Sequence, residues 1–133
     1  MSKRLLIIAL ALTIWAVSIG AERGTLIPYD NSVDTSGMET MHTTAYYQGH
    51  HTATGVPVHP GIAACNTHLG DIAVIYTMDG KYLGTYEVCD TGGTEGLQGG
   101  YVIDVWKCNL TQCQTWMKLT GGKVKVMWIK GEG

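Results

Sequence analysis

The sequence predicts a small, mainly β domain, folded as a closed barrel of about six short strands with one short helix. The chain of 133 residues has room for one modest domain. Its 18 glycines and its 15% of charged residues favour a turn-rich β domain over a helical bundle. Since many short strands would leave unpaired edges, a sheet that closes on itself is the architecture we expect.

Alternating apolar and polar residues indicate the strands, and turn residues separate them. Strand-like segments occur at Met38–Tyr47, Gly61–Ala64, Asp71–Met78, Lys81–Cys89, Val102–Trp106 and Lys123–Lys130. Asp79-Gly80 is a strong hairpin signal between the third and fourth of these segments. Helical spacing predicts one helix over Leu110–Leu119, with Asn109 as its N-cap and Gly121-Gly122 as its end.

The N-terminal segment has the pattern of a secretory signal. Lys3 and Arg4 precede an apolar run, Leu5 to Ile19, and small residues follow it. We therefore predict a signal peptide over residues 1–21, with an uncleaved signal anchor as the alternative, although the run is short for a bilayer span of roughly 20 residues. The protein is expected to be secreted or held at the cell envelope, with membrane attachment only if the leader is retained.

The rest of the chain limits the possible partners. Residues 22–37 are polar and broken by Pro28, so they are predicted to link the leader to a domain spanning residues 38–133. The formal net charge is −2, and no basic patch argues for nucleic acid. An acidic domain is also a poor candidate for binding anionic membrane surfaces. We expect a monomer.

Two aspartates form the candidate site. Asp90 and Asp104 each follow an apolar, strand-like run, and a glycine-dense connection that begins with Thr91-Gly92-Gly93 lies between them. Because glycine lets backbone or ligand approach closely, this pattern is consistent with an open acidic groove. The simpler alternative is a turn rich in Asp and Gly with no chemical function.

The four cysteines are predicted to form disulfides. Cys65, Cys89, Cys108 and Cys113 are even in number in a chain with an export signal, which makes two disulfides the default. Three pairings are possible, and Cys108–Cys113 is favoured because the two are close in sequence. A zinc site at Cys65-Asn66-Thr67-His68 is the rival, but the chain has no C-x-x-C pair. We therefore predict neither a metal nor another cofactor.

A series of short motifs runs through residues 40–130. They are Thr44-Ala45-Tyr46, Thr52-Ala53-Thr54-Gly55, Gly61-Ile62-Ala63-Ala64, Leu69-Gly70, Asp90-Thr91-Gly92-Gly93, Ile103-Asp104-Val105-Trp106 and Lys123-Val124-Lys125-Val126. In this order the motifs resemble the three-aspartate (3D) domain, a double-psi β-barrel that also forms the catalytic core of membrane-bound lytic transglycosylase A. A more distant likeness runs to rare lipoprotein A and the expansins. The resemblance implies a six-stranded double-psi β-barrel over residues 38–133.

The resemblance also implies action on peptidoglycan glycan strands. In the family's transglycosylases, the aspartate of the Ile-Asp motif is the catalytic acid and base. That role would fall on Asp104, with Asp90 as its acidic neighbour. Thr54, which matches a family threonine, and the Thr91-Gly92-Gly93 segment would contact the sugar, although a loop threonine more often only shapes its own turn.

One name-giving aspartate of the family is missing. Its position falls on Cys65, next to Asn66. If the family's first and second aspartates face each other, Cys65 and Cys89 should lie close, so the resemblance implies a Cys65–Cys89 disulfide. The missing carboxylate leaves two alternatives to an enzyme: a non-catalytic protein that binds or loosens wall glycan, and a disulfide-stapled secreted module that binds a protein partner.

Lytic transglycosylation can proceed with a single carboxyl group. The reaction needs a proton donor for the glycosidic oxygen and then a base for the sugar's own C6 hydroxyl. Ordinary glycosidases differ, because two carboxylates flank the scissile bond. We expect the pKa of Asp104 to be raised by desolvation against Ile103, Val105 and Trp106, and by the like charge of Asp90.

Overall fold

The computed structural model describes residues 32–131. The predicted signal segment, residues 1–21, lies outside the described residues, as does most of the predicted linker. Within the described part, no helix has the length and the apolar character that crossing a bilayer requires.

Six strands in the described part close into one barrel. They are β1 (Glu39–Tyr46), β2 (Ile62–Ala64), β3 (Ile72–Tyr76), β4 (Tyr82–Asp90), β5 (Val102–Trp106) and β6 (Lys123–Ile129). Around the barrel they follow the order β1-β5-β2-β4-β3-β6, and β6 pairs with β1 to close it. β1 runs parallel to β5 and β2 runs parallel to β4, while the other neighbours are antiparallel. The prediction of a small six-stranded β-barrel is confirmed.

Two α-helices accompany the barrel in residues 32–131, besides one 3₁₀ turn at Asn66–His68. The predicted helix is present as α2 (Leu110–Thr120): Asn109 Oδ1 accepts from Gln112 N at 2.9 Å, and Gly121 ends the helix with φ 63°. The other, α1 (Glu95–Gly99), was not predicted, because a five-residue helix with two glycines has no helical periodicity to detect. It lies in the glycine-dense connection and buries Leu97. Leu97 lies close to Gly92, so this short helix packs against the segment that follows Asp90.

Alternation along the strands places one set of side chains inside the barrel. The buried cluster contains Met41, Ala63, Cys65, Ala73, Ile75, Tyr86, Val88, Ile103, Val105, Trp116, Val124 and Val126. The buried Thr43 hydroxyl donates to Ile103 O and accepts from Trp116 Nε1, both at 2.9 Å. The bond from Trp116 joins α2 to β1, and the bond to Ile103 joins β1 to β5, so the helix is held against the barrel by a buried polar contact as well as by apolar packing.

The described end of the predicted linker contacts the barrel. Val33 N donates to Gly80 O at 2.8 Å, in the hairpin between β3 and β4. Gly80 has φ +92°, and a Cβ at this position would lie 2.2 Å from Val33 O, so only glycine fits the contact. Thr35 is buried as well. Residues 33–35 thus pack on the domain that they precede.

All four cysteines are free thiols, so the predicted Cys65–Cys89 and Cys108–Cys113 disulfides are absent and this prediction is corrected. Cys65 belongs to the buried cluster inside the barrel, whereas Cys89 follows the inward-pointing Val88 and lies outside that cluster. The pairing of β4 with β2 shifts register at this point, so Cys89 has no partner in β2 and does not join the core cluster to which Cys65 belongs. Cys113 is buried in α2, while Cys108 is exposed before the helix begins. The two members of each predicted pair thus differ in environment: Cys65 belongs to the core cluster and Cys89 does not, and Cys113 is buried whereas Cys108 is exposed.

Candidate functional site

Asp104 and Asp90 lie on strands that flank Ala64. β5 places Asp104 opposite Ala64 on one side, and β4 places Asp90 opposite Ala64 on the other. The pairing of β2 with β4 shifts register between Ala63 and Ala64, so it skips Cys89 and brings Asp90 to this position. The structure thus brings the two predicted carboxylates to one region of the barrel wall, with a small side chain between them.

Three hydrogen-bond donors hold the Asp90 carboxylate. The Tyr46 hydroxyl donates to Oδ2 at 2.8 Å, from the end of β1. The backbone N–H groups of Ala53 and Thr91 donate to Oδ1 at 2.8 and 2.9 Å. The carboxylate therefore connects β1, the 52–54 loop and the start of the glycine-dense connection, and it has a fixed orientation at the end of β4.

Asp104 has a different environment. Ile103 and Val105 point into the core, so Asp104 points to the outer surface, where it is half-buried. Its Oδ1 atom is buried and has no hydrogen-bond partner among the described residues. Desolvation and the nearby charge of Asp90 raise the pKa of Asp104 from 3.8 to about 6, against an opposing hydrogen bond from Thr44. The direction of this shift is the one that the sequence predicted, and both of its physical causes contribute.

Tyr46 links the two carboxyl groups electrostatically. Its pKa is raised, first by burial, then by its hydrogen bond to Asp90 and by the charges of Asp90 and Asp104. The phenol therefore stays protonated and remains a donor to Asp90 at any ordinary pH. In the pairing of β1 with β5, Tyr46 lies opposite Trp106 and Thr44 lies opposite Asp104. A row of polar and aromatic side chains thus follows the outer face of these two strands.

The predicted binding residue Thr54 has its hydroxyl engaged within the protein. It donates to Cys89 O at 2.9 Å, and it lies 3.0 Å from the Thr52 hydroxyl. Val56 N donates to that second hydroxyl at 3.2 Å. These bonds hold the loop against the end of β4, where Ala53 N reaches Asp90. In this geometry Thr54 positions the loop next to the carboxylates.

The other predicted binding residues lie on a segment that Asn66 holds. Asn66 Nδ2 donates to Gly92 O, and Gly92 N donates to Asn66 Oδ1, both at 2.9 Å. Thr91 is half-buried and its N–H bonds Asp90, as described above. Gly93 is exposed, and apart from its chain neighbours no heavy atom lies within 4 Å of the position that a Cβ would take. Of this segment, Gly93 is thus the residue best placed for contact with a ligand.

Sequence reasoning did not assign roles to Tyr46, Asn66 or the backbone of Ala53. Tyr46 and Ala53 belong to the motifs on which the resemblance is based, so the sequence marked both residues. It did not show which group either of them would contact. Asn66 was noted only as the neighbour of Cys65. Because its partner Gly92 is 26 residues away, no local pattern could reveal the contact.

Within residues 32–131, no cluster of three histidine, cysteine or acidic side chains is arranged to hold a metal ion. Comparison of the chain with family models, with curated proteins and with solved structures gives no significant match. The chemistry of the site is therefore argued from its own geometry.

Proposed function

We propose that the protein is an exported enzyme that cleaves peptidoglycan glycan strands by a lytic transglycosylase-type reaction, with Asp104 as the general acid and base. The proposal depends most on the environment of the Asp104 carboxyl group and on its raised pKa. This carboxyl group is partly desolvated, has a buried oxygen without a hydrogen-bond partner in residues 32–131, and has a pKa of about 6. A carboxyl group with such a pKa is divided between its acid and base forms near neutral pH, as general acid–base catalysis requires.

The reaction would use the two protonation states of Asp104 in sequence. The protonated carboxyl group gives its proton to the glycosidic oxygen as the bond from that oxygen to C1 breaks. The carboxylate then takes the proton of the C6 hydroxyl of the same sugar, as O6 bonds to C1 and closes a 1,6-anhydro ring. Asp104 ends protonated, as it began, and no water or external co-reactant is consumed.

Asp90 would support this cycle without exchanging a proton. Its three donors, Tyr46, Ala53 N and Thr91 N, fix a carboxylate beside Asp104. A fixed negative charge raises the pKa of its neighbour, and it also stabilises the positive charge that develops on the sugar ring in the transition state. In this proposal Asp90 is a positioning and electrostatic residue.

A second candidate is a non-catalytic protein that binds wall glycan. It is favoured by the position where the resemblance places a first aspartate, because Cys65 there is buried inside the barrel and cannot contact a ligand. The neighbouring Asn66 is occupied with Gly92. Asp71, the next carboxylate along the chain, is also engaged, with His68 at 3.0 Å and with Gly131 N at 2.9 Å.

Digestion of purified sacculi tests the enzyme against the binder. Wild-type protein should release 1,6-anhydro-muropeptides, detected by mass spectrometry, and Asp104→Asn should lower the rate by roughly 10²–10⁴-fold. Asp79→Asn is the matched control, because Asp79 is exposed in the β3–β4 hairpin and Asn-Gly suits the same turn. Co-sedimentation with sacculi but no anhydro product would favour the binder. A protein that neither binds nor cleaves sacculi would reject both candidate functions. Retained activity in Asp104→Asn would reject the role of Asp104.

A further inference from the structure

Two buried polar atoms on β5 have no hydrogen-bond partner within residues 32–131. They are Oδ1 of Asp104 and Nε1 of Trp106. Leaving a buried donor or acceptor unpaired costs free energy, and folded proteins pair the great majority of such groups. Because both atoms lie on one short strand, we looked for a contact that would satisfy the two together.

The two atoms are complementary in chemistry and close in position. An indole N–H can only donate a hydrogen bond, and an ionised carboxylate can only accept one. Asp104 and Trp106 are two residues apart on β5, so their side chains leave the same face of the strand, with Cα atoms roughly 7 Å apart. A tryptophan side chain is long enough to bring its Nε1 to a carboxylate at this separation.

The strands on either side of β5 offer the indole no better acceptor. On one side, β2 carries only apolar side chains. On the other side, β1 places Tyr46 opposite Trp106, and the Tyr46 hydroxyl is engaged with Asp90 at 2.8 Å. Among the side chains of these three strands, the carboxyl group of Asp104 is therefore the acceptor best placed for Trp106.

A small movement is needed to close the contact. The indole and the carboxyl oxygen do not meet the criteria for a hydrogen bond in this structure. Rotation of the Asp104 carboxyl group about χ2, which is a broad torsion, is the smallest change that turns Oδ1 toward the indole. Hydrogen bonds of catalytic groups are often long before the substrate binds and shorten in the reacting complex.

Such a bond would oppose the desolvation of Asp104. The pKa of this group is raised to about 6, mainly by desolvation. A hydrogen bond to the charged form of a carboxyl group lowers its pKa. A donor at Oδ1 would therefore stabilise the base form of Asp104, which burial alone disfavours.

We propose that Trp106 is a positioning residue whose indole N–H donates to Oδ1 of Asp104 when the carboxyl group is ionised. With Oδ1 held by the indole, Oδ2 is the oxygen that takes the proton of the C6 hydroxyl. This catalytic consequence rests on the proposed function. The hydrogen bond itself is a property of the folded protein and can be tested without a substrate.

Ionisable groups on three neighbouring elements interact with Asp104: Asp90 on β4, Tyr46 on β1 and Cys113 on α2. In addition, Lys107 directly follows β5. Burial raises the pKa of Tyr46 and that of Cys113, so both groups stay protonated between pH 4 and pH 8. Asp90 is the other carboxyl group at the site, and Asp104→Asn distinguishes its titration from that of Asp104.

An NMR titration of the full-length protein between pH 4 and pH 8 tests the bond. The indole N–H signal of Trp106, identified by its loss in Trp106→Phe, should move downfield as the Asp104 carboxylate forms. This step should follow the carboxyl carbon signal of Asp104, and it should be absent in Asp104→Asn. The reference is the indole of Trp116, which donates to the Thr43 hydroxyl at 2.9 Å and should not show the step.

The pKa of Asp104 in Trp106→Phe separates a hydrogen bond from simple burial. Loss of the donor should raise this pKa by about one to two units, as expected for one hydrogen bond to a charged group. Loss of apolar cover alone would lower the pKa, because phenylalanine is smaller and lets water approach the carboxyl group. Trp128→Phe is the matched control, since its indole bonds Glu39 on the far side of the barrel.

Either of two results would overturn the proposal. One is a lowered or unchanged pKa of Asp104 in Trp106→Phe. The other is a wild-type Trp106 indole signal that does not follow the ionisation of Asp104, and this result decides the question even if Trp106→Phe does not fold.

The two proposals fail separately. Release of anhydro products from sacculi, together with a lowered or unchanged pKa in Trp106→Phe, would leave the enzyme and reject the positioning role. A raised pKa and a coupled indole signal without any anhydro product would leave the bond between Trp106 and Asp104 and reject the enzyme.

Discussion

Asn66 makes two hydrogen bonds to the backbone of Gly92, one as donor and one as acceptor, each 2.9 Å long. Its amide satisfies both the carbonyl and the N–H of this residue. A carboxylate at the same position could only accept, so it would leave the Gly92 carbonyl facing a negative charge. The residue next to Cys65 thus holds the segment that follows Asp90, by a contact that requires an amide.

Replacement of Asn66 should therefore destabilise the protein. Asn66→Asp and Asn66→Ala should each lower the free energy of unfolding by about 1–3 kcal/mol, because they leave half-buried polar groups of Gly92 unpaired. Urea unfolding at pH 7 measures this, with Gln114→Ala on the exposed face of α2 as the control. An Asn66→Asp protein as stable as wild type would contradict the importance of the donor bond.

The raised pKa of Asp104 predicts a pH-dependent stability difference. The folded protein keeps this proton up to about pH 6, whereas the unfolded chain loses it near 3.8, so stability falls as pH rises through that window and then stays level. One pKa unit corresponds to about 1.4 kcal/mol, so the penalty above pH 6 amounts to at most about 3 kcal/mol. Asp104→Asn removes the ionisable group. It should be more stable than wild type at pH 8 and nearly equal to it below pH 4.

Chemical denaturation at the two pH values measures this difference. Asp79→Asn, in the exposed hairpin, should not reproduce the pattern. A stability difference between Asp104→Asn and wild type that is the same at pH 4 and pH 8 would contradict a raised pKa.

Asp90→Asn should shift the pH profile of any glycan-cleaving activity downward. The charge of Asp90 raises the pKa of Asp104, so its removal lets Asp104 ionise at lower pH. Since the protonated form is the general acid, the high-pH limb of the profile should move to lower pH. The control is Tyr46→Phe, which removes the donor to Asp90 Oδ2 but keeps the Asp90 charge, and should not move that limb downward. An unchanged limb in Asp90→Asn would show that the two carboxyl groups act independently.

The cysteines should react as four thiols of unequal accessibility. Cys108 is exposed, while Cys65, Cys89 and Cys113 are buried, and burial raises the pKa of each of these three thiols. A thiol reagent should modify one residue rapidly in the native protein and four after denaturation. Peptide mapping by mass spectrometry identifies the modified residues. Fewer than four reactive thiols in the denatured protein, without added reductant, would restore the disulfide prediction.

The sequence by itself determined the strands, the main helix and the two principal carboxylates. The apolar run of β3, the alternation at the start of β6, the Asp79-Gly80 hairpin and the Asn109 cap are local signals, since each depends on residues within a few positions of one another. The raised pKa of Asp104 could also be anticipated, because the core residues on either side of it determine how far it is desolvated.

Only the tertiary structure decided which groups meet at the site. The contacts of Asp90 with Tyr46 and Ala53 span 44 and 37 positions, and they depend on the register of a closed barrel. The cysteine prediction was wrong because an even count carries no information about which face of a strand each thiol occupies. Long-range pairing, which no local pattern encodes, produced all of these features.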